Sequence, residues 1–104
     1  MADITNIISQ VSLSNTPAIL SSSTALARNP ARGAWMIQNL GTNPLFVRFG
    51  TGATSSVFHV VLKAGTANDD GTGGTLAQEN GVVWYGEVSI AGTSPRYTVT
   101  ELSS

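Results

Sequence analysis

Apolar side chains recur at every second position along several parts of the chain. Leu45, Val47 and Phe49 lie two positions apart. The same two-residue period continues through residues 82–90 and 96–101. Successive side chains of a β-strand point to opposite faces of its sheet, so this period predicts strands with one face in a core. Leu45, Val47 and Phe49 are predicted to form the core face of their strand.

Further strands are predicted where the alternation is less regular. Residues 57–63 place Phe58, Val60 and Leu62 on one face, and residues 4–13 fit an edge strand better than an amphipathic helix. These two stretches add to the β content of the chain without adding a helix.

Residues 19–26 are ambiguous, because residues 21–27 could also form a helical turn. A strand or extended loop is preferred here, since Asn29 and Pro30 end the segment and Pro disfavours helix at the residue before it. A turn is predicted before this segment, at residues 14–17, where Ser, Asn, Thr and Pro follow one another.

The centre of the chain, WMIQNLGTNPLFVRFG, is predicted to be a β-hairpin. Residues 35–37 and 45–49 are rich in aromatic and β-branched side chains, and they flank the turn-like segment 39–44. Its Gly and Asn tolerate positive φ, while Pro44 fixes its own φ. Trp35 is expected to be buried in the core.

A second hairpin is predicted near the end of the chain. Residues 82–90 form its first strand, residues 91–95 its turn and residues 96–101 its second strand. The Gly-, Asp- and Thr-rich residues 64–80 before it are predicted to be the longest loop.

About seven or eight short strands with turns every 8 to 12 residues predict an all-β fold, either an antiparallel β-sandwich or a jelly-roll-like barrel. The 104 residues are expected to form a single domain. Residues 1–15 are expected to act as an N-terminal arm that contacts a neighbour, or as an edge strand.

The composition excludes several classes of function. Only 11% of the residues are charged and the net charge is −1, so there is no electrostatic basis for a nucleic-acid partner. The chain has no cysteine, and therefore neither disulfides nor thiolate metal sites. We also expect no signal peptide and no membrane span, since no run approaches the roughly 20 apolar residues that a bilayer requires.

The candidates for chemistry are few, and no catalytic, cofactor-binding or metal residue is predicted. His59 is the only histidine, which is too few for a multi-histidine metal site. Asp69 and Asp70, followed by a run of glycines, could hold Ca²⁺ through oxygen ligands, but the same composition is typical of a solvated or contact-making loop. We favour the loop, and an enzyme is not expected.

Trp84 and Tyr85 are the other candidate contact residues. As neighbours on a strand they would point to opposite faces, so one ring is expected outside the core. Three interpretations stay open: Trp84 in the core with Tyr85 partly covered, an aromatic anchor for another protein, or a stacking platform for carbohydrate.

Residues 32–50, RGAWMIQNLGTNPLFVRFG, resemble small β-sandwich structural proteins of bacteriophage virions. The runs FHVVLKAG, DDGTGG and IAGTSPRYT extend the resemblance to residues 32–101. That group contains capsid decoration and cement subunits as well as tail, fibre and baseplate components. The resemblance implies a homo-oligomer in the virion, bound to the major capsid protein or another virion protein, and it implies no catalytic residues.

A neutral surface of Ser, Thr and Asn agrees with this expectation, because it can be buried without removing charges from water. The first hypothesis is therefore a capsid decoration or cement subunit that stabilises the head by contacts between subunits. A tail, fibre or baseplate component is one alternative. A carbohydrate-binding or adhesion module that uses Trp84 or Tyr85 is the other.

Overall fold

The computed structural model describes residues 7–13, 19–79 and 81–103, with residues 7–13 and 19–22 described by their backbone alone. This part of the chain is all-β, and none of it forms a helix that could span a membrane. Its eight strands are β1 (Ile7–Leu13), β2 (Ile19–Leu26), β3 (Arg32–Asn39), β4 (Leu45–Phe49), β5 (Val60–Leu62), β6 (Thr75–Gln78), β7 (Val88–Gly92) and β8 (Tyr97–Ser103).

The strands form two four-stranded antiparallel sheets packed face to face. The order in the first sheet is β1-β8-β3-β6, and the order in the second sheet is β2-β7-β4-β5. The first four strands thus pair with the last four in reverse order, and the β3–β8 and β4–β7 pairs complete the two sheets. This is the strand order of a jelly roll. The all-β, antiparallel sandwich predicted from the sequence is confirmed.

The predicted central hairpin is wrong, because β3 and β4 belong to different sheets. The side chain of Asn39 explains how the chain can cross at this point. Its amide nitrogen donates to the carbonyl oxygens of Asn43 at 2.9 Å and of Leu62 and Lys63 at 3.2 Å. Its amide oxygen accepts the N–H of Gly41 at 2.9 Å. These bonds satisfy backbone carbonyls just before β4 and at the end of β5, so they join the end of β3 to the second sheet.

The predicted closing hairpin is also wrong, since β7 lies in the second sheet and β8 in the first. Only Val88–Gly92 is a strand, and the residues from Gly81 to Glu87 form a loop despite their alternating pattern. The backbone carbonyls of Trp84 and Gly86 accept hydrogen bonds from the side chain of Arg32. These two carbonyls therefore serve a side chain and not a neighbouring strand.

Two more boundaries differ from the prediction. The fifth strand is only Val60–Leu62, and Phe58, which was predicted to share a strand face with Val60 and Leu62, lies before the strand and is exposed. The loop predicted over residues 64–80 ends earlier, because Thr75–Gln78 pairs with β3 as the edge strand of the first sheet.

The structure agrees with the strands predicted near the start of the chain. Ile19–Leu26 is a strand, as preferred, and Ile7–Leu13 lies at the edge of the first sheet. The turn predicted at residues 14–17 lies outside the described residues, and so does the rest of the proposed arm over residues 1–15.

The core lies between the two sheets and is formed by alternate residues of the strands. Trp35 is buried as predicted, and Leu45 and Val47 face the same interior. Phe49, the third member of the predicted core face, is only partly buried and packs edge-on against Trp35, with ring centroids 6.2 Å apart. The other core residues are Ala25, Leu26, Ile37, Leu62, Val88, Ile90, Tyr97 and Val99.

Tyr97 gives the first testable prediction. Its hydroxyl is buried without a hydrogen-bond partner among the described residues, so Tyr97→Phe should raise the free energy of unfolding at pH 7 by about 1 kcal/mol. Burial also raises the pKa of Tyr97 from 10.0 to about 12. The unfolded chain releases this proton first, so wild-type stability should fall as the pH rises from 10 to 12.

Urea unfolding of the wild type and of Tyr97→Phe at pH 7 and pH 11 measures both effects. The matched control is Tyr85→Phe, which changes the half-exposed tyrosine and should alter neither value. A Tyr97→Phe protein that loses as much stability at pH 11 as the wild type would contradict the prediction.

Candidate functional site

The two pairs of candidate residues lie at opposite ends of the sandwich. Successive strands run in opposite directions, so loops that follow odd-numbered strands share one end and loops that follow even-numbered strands share the other. Asp69 and Asp70 lie in the loop after β5, and Trp84 and Tyr85 lie in the loop after β6. We call these two ends the acidic end and the aromatic end.

At the acidic end, Asp69 forms an ion pair that joins two loops. The Arg96 guanidinium donates from Nε to the Asp69 carboxylate at 2.7 Å, and its Nη2 contacts the second oxygen. This hydrogen bonding lowers the pKa of Asp69 and raises that of Arg96. The backbone N–H of Asp69 donates to the carbonyl of Leu40, so the loop after β5 is also tied to the loop after β3.

The carboxylate of Asp70 forms its hydrogen bonds within its own loop. It accepts the hydroxyls of Thr66 and Thr72, each at 2.6 Å, and the backbone N–H groups of Ala67 and Thr72. The hydroxyl bonds are the main reason that the pKa of Asp70 is lowered to about 2. Because this pKa is lower than the ordinary value of 3.8, the associated stability is present above pH 4 and is lost as the pH falls towards 2.

Asp69 and Asp70 therefore bind different protein groups, and the structure does not bring them together around a shared point. No three His, Cys, Asp or Glu side chains cluster as metal ligands within the described residues. The arrangement is that of a loop held in shape by its own side chains.

The glycines of this loop have a packing role. A Cβ on Gly73 would lie 2.0 Å from the carbonyl oxygen of Asn39, and one on Gly74 would lie 2.8 Å from the nitrogen of Lys63. Gly74 accepts the N–H of Asn39 and donates to the carbonyl of Lys63, both at 2.9 Å. The two glycines thus let the loop backbone approach the ends of β3 and β5, one in each sheet.

At the aromatic end, the buried side chain of Arg32 holds three other segments. Its Nε donates to Glu101 at 2.7 Å, and Nη2 donates to the carbonyl of Ala27 at 2.7 Å. Nη1 donates to the carbonyls of Trp84 at 2.7 Å and Gly86 at 3.0 Å. A buried charge requires a partner and acceptors for its donors, and this set provides a carboxylate and acceptors for four of the five N–H groups.

The sequence-based interpretation missed this role of Arg32. A useful signal was the scarcity of charge, because Arg32 is one of only five lysine and arginine residues in a chain with 11% charged residues. Its partner Glu101 lies 69 positions away, and no local pattern connects the two.

Trp84 and Tyr85 are exposed by 40% and 50%, so the interpretation that placed Trp84 in the core is wrong. Trp84 is nevertheless held in place. Its backbone N–H donates to the side-chain oxygen of Gln78 at 2.9 Å, and its indole N–H donates to the carbonyl of Glu87 at 2.8 Å. The ring lies against Gly86, where a Cβ would come within 2.6 Å of it.

Phe49 connects this loop to the residues just before β5. Its ring stacks on His59 with centroids 5.1 Å apart and on Trp84 with centroids 6.5 Å apart. The Phe49 N–H donates to Nδ1 of His59 at 3.0 Å, so His59 positions the backbone here. The ring of Phe58, beside His59, packs against the ring of Phe46, with ring centroids 5.0 Å apart.

Five exposed apolar residues lie in the loops after β4 and β6, which Phe49 connects. We call them the apolar rim: Val57, Phe58, Val82, Trp84 and Tyr85. Met36 and Val61, which lie on strands β3 and β5, are the other exposed large apolar side chains among the described residues. The sequence-based interpretation found Trp84 and Tyr85 but assigned Val57, Phe58 and Val82 to regular strands, because exposure depends on the position of the sheet partners.

A shallow groove lies on the outer face of the first sheet. Its volume is about 530 Å³, and its floor includes Ala34, Met36, Ala77, Thr100 and Leu102. Met36 pairs in register with Ala77 on one side and with Thr100 on the other, so the groove crosses β6, β3 and β8. These five side chains are uncharged, and Glu79 also lines the groove.

Comparison with known proteins identifies no relative. No family model matches the chain, no curated protein matches it, and no solved structure matches it. The function is therefore inferred from the residues and from the geometry described above.

The contacts of Arg32 predict a large effect of its removal. Arg32→Met should lower the free energy of unfolding by about 3 to 5 kcal/mol, because it leaves Glu101 and three carbonyl groups without their donor. Urea unfolding measures the loss. Arg48→Met is the matched control, because Arg48 lies on the outer face of the second sheet, and it should cost less than about 1 kcal/mol. Equal losses in the two variants would contradict the proposed role.

The packing of Trp84 on Gly86 predicts a specific coupling. Gly86→Ala should displace the indole ring and shift its fluorescence emission to longer wavelength. In a Trp84→Ala background the same change should have almost no effect on stability, because the clash is absent. A double-mutant cycle by urea unfolding measures this coupling. Additive effects of Gly86→Ala and Trp84→Ala on the free energy of unfolding would show that the new Cβ at residue 86 does not act through the Trp84 ring.

Proposed function

We propose that this protein is a non-enzymatic structural subunit of a bacteriophage virion, and that it acts as a capsid decoration or cement subunit. The resemblance of residues 32–50 to small virion proteins supports the class of protein. The apolar rim supports action by surface contact.

The rim is the observation that carries the proposal. It gathers five of the seven exposed large apolar side chains of the described residues in the loops after β4 and β6, which share one end of the sandwich. Clustered apolar side chains mark contact surfaces, whereas single exposed ones are ordinary. Full burial of one such side chain contributes roughly 1.5 to 3 kcal/mol, so a partner that covers several of them gains substantial binding free energy.

The rim is also presented in a fixed arrangement. Arg32 binds the carbonyls of Trp84 and Gly86, Gln78 binds the N–H of Trp84, and the Phe49 ring lies between the two segments of the rim. A surface that is ordered before binding loses less conformational entropy on association. This favours stable attachment of many copies to a lattice.

Attachment to the assembled head would stabilise it by linkage. A subunit that binds only the assembled lattice shifts the equilibrium towards that lattice, and several contacts per subunit add through effective concentration. A tail, fibre or baseplate subunit would use the same contact chemistry.

A carbohydrate-binding or adhesion module is the second candidate, because the rings of Trp84 and Tyr85 are both exposed. Aromatic rings stack on sugars, and jelly rolls occur in lectins as well as in viral capsids. The indole N–H of Trp84 is already donated to the carbonyl of Glu87, which leaves the ring without a polar group for a sugar hydroxyl.

The test uses phage particles assembled without this protein. Purified wild-type protein should co-sediment with emptied heads and raise the temperature at which filled heads release DNA. Val82→Asp, which changes the most exposed rim residue, should weaken head binding at least about tenfold, because it places a charge in an apolar contact. Thr42→Asp adds the same charge on an exposed residue at the opposite end and should bind like the wild type.

Three results would contradict the cement proposal. Co-sedimentation with detached tails only would favour the tail alternative. Glycan-array binding that Trp84→Ala or Tyr85→Ala abolishes, without binding to heads, would favour the carbohydrate alternative. Equal head binding by Val82→Asp and the wild type would show that the apolar rim is not part of the interface with the head.

A further inference from the structure

The four edge strands of the sandwich share an unusual composition. β1 and β6 border the first sheet, and β2 and β5 border the second. None of these strands contains a charged residue or a proline. Proteins usually protect an exposed edge from pairing with another chain by such residues, by bulges or by keeping the strand short.

Three of the four edges have one of the other protections. β5 is three residues long and β6 is four. β2 is longer, but its register with β7 shifts at two places, as expected for bulges. β1 has neither protection: all seven of its residues pair with β8 in unbroken register, from Ile7 opposite Ser103 to Leu13 opposite Tyr97.

The outer edge of β1 therefore presents a regular row of backbone donors and acceptors about 23 Å long. No strand of the described chain pairs with that edge. We infer that β1 pairs with β1 of a second copy of the chain, antiparallel about a two-fold axis at Gln10, which joins the two first sheets into one sheet of eight strands.

The register explains why a second copy fits. A two-fold axis at the central residue, Gln10, overlaps all seven residues of both strands and places Ile7 opposite Leu13 and Ile8 opposite Ser12. No charged residue meets another across this interface. A continuous sheet of eight strands lies within the size range of natural open sheets.

On the outer face of the sheet, strand β8, which neighbours β1, brings no charged side chain near the inferred dimer contact. The residues of β8 on the outer face of the first sheet are Thr98, Thr100 and Leu102, which pair in register with Gln38, Met36 and Ala34 of β3. All six side chains are neutral. The inferred dimer does not use the apolar rim and does not rest on the proposed function.

A cysteine test is well suited to this chain, because it contains no native cysteine. In the inferred dimer the two copies of residue 10 face each other with Cα atoms about 4.5 to 5.5 Å apart, within the range that a disulfide spans. Gln10→Cys should therefore form a covalent dimer under mild oxidation, seen on a non-reducing gel.

Two controls define the register and the edge. The two copies of residue 12 would lie about 13 Å apart along the strands, so Ser12→Cys should not cross-link. Ala77→Cys, on the exposed edge strand β6, should not cross-link either. Equal cross-linking of all three variants would indicate random collision and would overturn the inference.

A charge test examines the same contact without a covalent bond. Sedimentation velocity of the wild type at about 0.1 mM should show a dimer, and Gln10→Lys should raise the dissociation constant at least tenfold, since like charges would face each other. An equimolar mixture of Gln10→Lys and Gln10→Glu should restore the dimer, which also shows that both variants are folded. A monomeric wild type, an unchanged Gln10→Lys dimer or a mixture that stays monomeric would overturn the inference.

Discussion

The buried guanidinium of Arg32 connects the core of the sandwich to its exposed surface. It binds Glu101 on β8 and the backbone carbonyls of Ala27, Trp84 and Gly86, so one side chain from β3 fixes the strand beside it and two loops. A charge removed from water requires an ionic partner and hydrogen-bond acceptors, and these four groups supply them. The loop that carries Trp84 and Tyr85 is held in part by these bonds, together with those of Gln78 and Asn29 to its backbone.

Asn39 has a comparable role at the opposite end. By satisfying the carbonyls of Asn43, Leu62 and Lys63, it allows the chain to leave the first sheet and enter the second. Gly73 and Gly74 allow another loop to approach the same point closely. The acidic end is therefore a structural junction, in which the Asp69–Arg96 ion pair and the hydrogen bonds of Asp70 hold the loops together.

The low charge of the chain has consequences for both proposals. The apolar rim lies at the aromatic end of the sandwich, and the uncharged edge of β1 lies along one side of the first sheet. Neither surface requires a charge to be removed from water when it is covered. One protein can therefore contact a larger assembly through the rim and a second copy through β1, because the two surfaces use different residues.

The sequence by itself determined the fold class and part of the core. The alternation of Leu45, Val47 and Phe49 reports a local property, the two-residue period of a strand, and their inward face followed from it. The same period over residues 82–90 led to a strand that is mostly a loop. Periodicity does not specify which strand pairs with which, so both predicted hairpins were wrong. Only the tertiary structure brought Arg32 to Glu101 and exposed Phe58, because burial and ion pairing depend on residues distant in the chain.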